Sequence, residues 1–113
     1  MPGPMTSDGS KYGAANNRFS RALRDGDLER AITVSKELPR VGLRDATKLL
    51  FLMARSHDRR YPKAAARWMS RYAAETSDLT PAMLANVADA LAELEAGDFD
   101  AAERLLAAVA EVR

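Results

Sequence analysis

The sequence predicts an all-α fold of five to six helices in stacked antiparallel hairpins, with a disordered N-terminal tail. Three observations carry the prediction. Apolar residues recur at three- and four-residue spacing along most of the chain. Val, Ile and Thr are sparse, and no stretch alternates at period two, so a sheet is not expected. The third observation is a motif that occurs twice. Leu23-Arg24-Asp25-Gly26-Asp27-Leu28-Glu29-Arg30-Ala31 returns as Leu94-Glu95-Ala96-Gly97-Asp98-Phe99-Asp100-Ala101-Ala102. In both copies Gly tolerates the left-handed backbone that ends one helix, and Asp caps the next through its side-chain oxygen. The motif reads as the corner of a helical hairpin.

Residues 1 to 14 carry Pro, Gly, Ser, Thr and Asp with little apolar content, and are expected to form the tail. A first helix is expected from Asn16 or Asn17, both good caps, with Phe19, Ala22 and Leu23 on one face. A second follows Gly26-Asp27 and carries Leu28, Ala31, Ile32, Ser35 and Leu38, ending at Pro39. A third spans about Leu43 to His57, with Leu43, Ala46, Leu50, Met53 and Ala54 as its buried stripe. Tyr61-Pro62 starts a fourth, which runs to about Glu75, since proline is tolerated in a first turn. Thr80-Pro81 starts the fifth, with Leu84, Val87, Ala88, Leu91 and Leu94 inward. After Gly97-Asp98 the sixth carries Phe99, Ala102, Leu105, Leu106, Val109 and Val112. Residues 15 to 113 are thereby expected to form a single helical domain.

A chain of 113 residues suffices for one such domain, which buries roughly two-thirds of its unfolded surface. Alanine is the commonest residue and lets helices approach closely. The absence of cysteine removes disulfides, thiolate chemistry and Cys-based metal sites. Even the longest apolar runs, such as Leu49 to Ala54, are far short of a bilayer span, so no membrane partner is expected. Met1-Pro2-Gly3-Pro4-Met5 has neither the basic nor the apolar region of a secretory signal, and a cytoplasmic protein is the default expectation. The preference for Ala and Arg over Ile and Lys suggests a GC-rich bacterial source.

The segment Gly26-Asp27-Leu28-Glu29-Arg30-Ala31 resembles the start of the second helix of a tetratricopeptide repeat. The Gly97 copy lies about two repeat lengths on, and Tyr61-Pro62-Lys63-Ala64-Ala65 reads as a degenerate middle copy. The tryptophan and Leu-Gly pattern of the repeat's first helix is absent. Ala64-Ala65-Ala66-Arg67-Trp68-Met69-Ser70-Arg71-Tyr72 is also similar to small helical proteins of actinobacteria, a resemblance that implies no activity. The tetratricopeptide resemblance implies a right-handed array of hairpins that binds a protein partner.

Charge is the sharpest functional signal. From Lys11 to Tyr72 fifteen bases stand against six acids, and from Ala73 to Arg113 nine acids stand against two bases, so the net charge of +1 conceals a polarised chain. Arg60, Lys63, Arg67 and Arg71 share a stripe of the fourth helix, and Arg55 and Arg59 extend it toward the preceding turn. Clustered arginines contact phosphates and carboxylates in bidentate fashion. The same stripe is also what a solvated helix face looks like, with its arginines paired to the acidic C-terminal helices. Trp68, with Tyr61 and Tyr72, is either a base-stacking platform beside these arginines or the anchor of the core.

No residue pattern points to a cofactor or a catalytic site. His57 has no partner at catalytic spacing and fits a helix C-terminus, where the dipole favours a cation. Asp89, Glu93, Asp98, Asp100 and Glu103 lack the spacing of a calcium loop. The helix–turn–helix of residues 43 to 75 has a basic second helix but no Gly in its turn. The sequence thus favours a non-enzymatic protein-interaction module, with nucleic-acid or polyanion binding through residues 55–71 as the alternative. Its polarised charge also allows self-association.

Overall fold

Six α-helices and no strand make up residues 3–112, the residues described by the computed structural model, with side chains described from residue 13 onward. The helices are α1 (Gly3–Asp25), α2 (Leu28–Ser35), α3 (Leu43–Arg55), α4 (Tyr61–Glu75), α5 (Pro81–Glu95) and α6 (Ala101–Ala110). The chain divides between Val41 and Gly42 into two compact units, Met1–Val41 and Gly42–Arg113, within the stretch that the periodicity assigns to one helical domain. No helix among the described residues is long and apolar enough to cross a membrane.

The first unit is the hairpin of α1 and α2. Ala15, Phe19 and Ala22 are buried on α1, and Leu28, Ala31 and Val34 on α2, each set at helical spacing. α1 begins upstream of the cap expected at Asn16 or Asn17. Ala14 and Ala15 precede them as strong helix formers, and both asparagines are exposed, where a helix interior tolerates them. The tail expected over residues 1 to 14 falls largely on positions outside those whose side chains are described. α2 stops at Ser35, before Pro39. Ser35 Oγ turns back to donate to the Ile32 carbonyl at 2.7 Å, and three-residue backbone bonds tighten the chain through Leu38. Arg18 and Glu37 close the hairpin with a two-pronged ion pair, at 2.6 and 3.4 Å.

In the second unit α3 packs against α4 and α6, α4 against α5, and α5 against α6. The four helices therefore surround a common core. Its apolar part includes Leu43, Leu50, Ala54, Ala65, Val87, Leu91, Leu94 and Leu105, and Trp68 stands among them at 2% exposure. Two polar links cross it. Trp68 Nε1 donates to Thr47 Oγ1 at 2.8 Å, and that hydroxyl donates to the Leu43 carbonyl at 2.8 Å. Tyr61 donates its phenol proton to the Leu91 carbonyl at 2.7 Å, tying α4 to α5. Every buried side-chain polar atom among the described residues has a partner, as a packed interior requires.

Three corners repeat one backbone pattern. At Gly26-Asp27 the two amides donate to Leu23 and Ala22, at 3.2 and 2.9 Å. At Gly97-Asp98 they donate to Leu94 and Glu93, at 3.1 and 2.9 Å. The third corner is His57-Asp58, whose amides donate to Ala54 and Met53 at 3.1 and 2.9 Å. These are the paired bonds of a Schellman motif, and the residue at each apex has positive φ: +73° at Gly26, +51° at His57 and +103° at Gly97. The His57-Asp58 corner thus shares this backbone pattern without a glycine, and α4 begins after it at Tyr61, as α2 begins at Leu28.

The last two corners match further. Asp58 and Asp98 each accept an amide two residues on, from Arg60 at 2.8 Å and Asp100 at 3.2 Å. The next helix then begins three residues after the aspartate, at Tyr61 and at Ala101. This longer corner takes Phe99 out of the sixth helix. It lies 38% exposed in the turn, where the sequence placed it on a buried helical face.

Candidate functional site

The α3–α4 corner is built around the Asp58 carboxylate. It accepts the Arg60 backbone amide at 2.8 Å, Arg60 Nε at 2.8 Å and Arg60 Nη2 at 2.7 Å. These hydrogen bonds hold the Asp58 carboxyl at about 2, below its ordinary 3.8, and the charge of Arg59 adds to the effect. Arg60 is therefore committed to the turn, and its charge is matched locally.

From Arg60 the chain enters α4 with Pro62 in the first turn. Tyr61, Ala65, Trp68 and Tyr72 face inward and are buried. Lys63 and Arg67, four residues apart, share the opposite, exposed side. Arg71 is half-buried and pairs with Glu75 at 3.1 Å, one turn on. Arg55, at the end of α3, lies over the Phe51 ring at 5.6 Å from its centroid. The six cations singled out from the sequence thus differ in state. Arg60 and Arg71 have carboxylate partners and Arg55 has an aromatic one, while Lys63 and Arg67 carry no partner among the described residues. Arg59 is exposed beside Asp58.

Trp68 is the core anchor, not a stacking platform. Its ring lies parallel to that of Tyr72, with centroids 5.4 Å apart, and both are buried. Tyr61 is buried too. Burial, with the negative charge of Glu95 behind it, pushes its phenol up to about 12.

His57 is exposed at the apex of its corner. Among the carboxylates near the Gly97-Asp98 corner, Glu93 pairs with Arg104 at 2.7 Å. No group of three or more His, Asp or Glu among the described residues is placed to hold a metal ion.

Two cations that the sequence reading passed over stand out on α3. Arg44 and Lys48 are exposed and form one row with Arg55, at steps of four and seven residues. That spacing is present in the sequence, interleaved with the apolar stripe of α3. Compared with known protein families, curated proteins and solved structures, the chain matches none.

Proposed function

We propose that the protein is a non-enzymatic interaction module that presents the outer face of α4 to an acidic protein partner. One observation carries this reading: Lys63 and Arg67 stand exposed, side by side, with no carboxylate of the described residues to neutralise them. Arg60 and Arg71 flank them with fixed side chains, which lowers the entropy lost when a partner docks. The reading includes the resemblance to tetratricopeptide hairpins. A corner pattern that recurs at Gly26, His57 and Gly97 supports a repeated helix–turn–helix unit as the scaffold.

Nucleic-acid or polyanion binding is the second reading, favoured by the same row of cations. With Trp68, Tyr61 and Tyr72 turned inward, it would rest on phosphate contacts without base stacking from α4. Affinity capture with the wild-type chain and with the double variant Lys63→Glu/Arg67→Glu separates the two. A protein recovered by the wild type, lost with the variant and retained after nuclease treatment supports the interaction module. Salt-dependent heparin retention abolished by the variant, with every captured protein released by nuclease, favours the polyanion. Capture and retention unchanged by the variant would overturn both.

A further inference from the structure

Within the second unit α4 and α6 stand at opposite corners. Each packs against both α3 and α5, so the faces they turn away from the core point away from one another. The outward face of α4 carries Lys63, Ala66, Arg67 and Ser70, all exposed. It holds no acid, since Glu75, the one carboxylate of the helix, is paired with Arg71 at 3.1 Å. The outward face of α6, with its cap residue Asp100, carries Glu103, Ala107, Ala110 and Glu111, all exposed. Asp100, Glu103 and Glu111 have no ion-pair partner among the described residues. Arg104, the one cation within α6, is matched by Glu93 at 2.7 Å, so the face stays acidic.

We propose that the acidic partner of the α4 face is a second copy of this chain, which offers its α6 face, and that the contact repeats head to tail. The proposal rests on the reading of α4 as a docking face. Charge complementarity selects the occupant. The sign that Lys63 and Arg67 require is present and unmatched on the same molecule, but on the far corner, beyond the reach of its own α4. Two copies meeting through like faces would instead oppose base to base or acid to acid, which disfavours a two-fold pair.

The placement of the faces also sets the form of the assembly. When α4 of one copy lies on α6 of another, the first copy's α6 and the second copy's α4 are left on the outer sides, pointing apart. Both stay open to a further copy, so the contact is heterologous and growth does not stop at two chains.

The relief of the two faces suits a helix-on-helix contact. Ala66 and Ser70 flank Arg67, and Ala107 and Ala110 lie between Glu103 and Glu111 in the chain. Small side chains at a crossing let the helix axes approach closely. Exposed ion pairs each contribute little and are screened by salt, so the association is weak and depends on both salt and concentration.

The test is the mass of the full chain in solution by light scattering. At low salt the wild-type mass is expected to climb with concentration past twice 12.3 kDa, and to fall to the single value at high salt. Lys63→Ala/Arg67→Ala and Glu103→Ala/Glu111→Ala, all at exposed positions, are each expected to stay monomeric with unchanged helical circular dichroism. An equal mixture of the two variants is expected to reach two chains and no more, because one intact α4 meets one intact α6 and both outer ends are dead. A wild type that is monomeric at low salt, or that holds at two chains, would overturn the proposal. So would either variant assembling as the wild type does, or a mixture that stays monomeric or grows past two chains. Glu103→Ala/Glu111→Ala keeps its α4 face, so its capture of a different acidic protein upholds the proposed function even where self-association fails.

Discussion

His57 holds a backbone conformation that its two counterparts reach as glycine. At φ +51° its Cβ crowds the following carbonyl, a strain that Gly26 and Gly97 avoid. Replacing His57 with Gly is expected to stabilise the chain by about 1 kcal/mol. Gly97→Ala is expected to destabilise it by about the same amount; its Cβ would meet open space, so the penalty is conformational alone. Urea unfolding followed by circular dichroism measures both. A different physics governs Thr47. Its hydroxyl receives the Trp68 indole proton inside the core, so Thr47→Val leaves that donor stranded. The expected loss is about 1–3 kcal/mol, and Thr47→Ser, which keeps the acceptor, should lose clearly less in the same measurement. These sites also mark what a sequence discloses at this scale. Gly26 and Gly97 announce positive φ through their residue type, whereas His57 adopts it because the α3–α4 connection demands it. Thr47 lies between apolar neighbours, and only the arrival of Trp68 from another helix explains its burial.

At the scale of the helices, an acid-sensitive bond stands at the α3–α4 corner and an alkali-sensitive one between α4 and α5. Ionised Asp58 is favoured in the folded chain, so its contribution is full above pH about 4 and is lost as the pH falls toward about 2. Tyr61 behaves in the opposite sense. Its neutral phenol is favoured in the fold, so that contribution is full below pH about 10 and is lost as the pH rises through about 12. Unfolding free energy measured across pH is expected to lose its acid limb in part with Asp58→Asn. Tyr61→Phe should flatten the alkaline limb, at a cost of about 1 kcal/mol near neutrality for the lost bond to Leu91. The helices themselves were legible: Thr80 caps α5 by accepting the Met83 amide at 3.2 Å, and Pro62 and Pro81 stand in first turns as their residue type requires. The ends were less so. Two additional turn residues at the Asp98 corner rotated Phe99 into solvent, and periodicity alone does not register such a phase shift.

Across the whole molecule, the charge asymmetry of the sequence lies largely within the second unit. Residues 43–75 carry eight bases against three acids, and residues 76–113 two bases against eight acids. This asymmetry was visible in the composition, but the packing of α3 beside α6 was not, because no spacing in the chain states it. The boundary at Val41–Gly42 leads to an expectation of its own. Residues 42–113 expressed alone should keep their helical circular dichroism and unfold cooperatively, since the core links of Trp68 and Tyr61 both run between residues of that unit. A fragment without a cooperative transition would show that this unit cannot stand by itself. The chain's one tryptophan, stacked on Tyr72 and bonded to Thr47, makes the molecule its own optical gauge. Its emission reports the core of residues 42–113 in which it stands, whereas far-ultraviolet ellipticity sums the helices of both units. Superimposing the two melting curves therefore tells whether the protein comes apart in one step or in two, without any label.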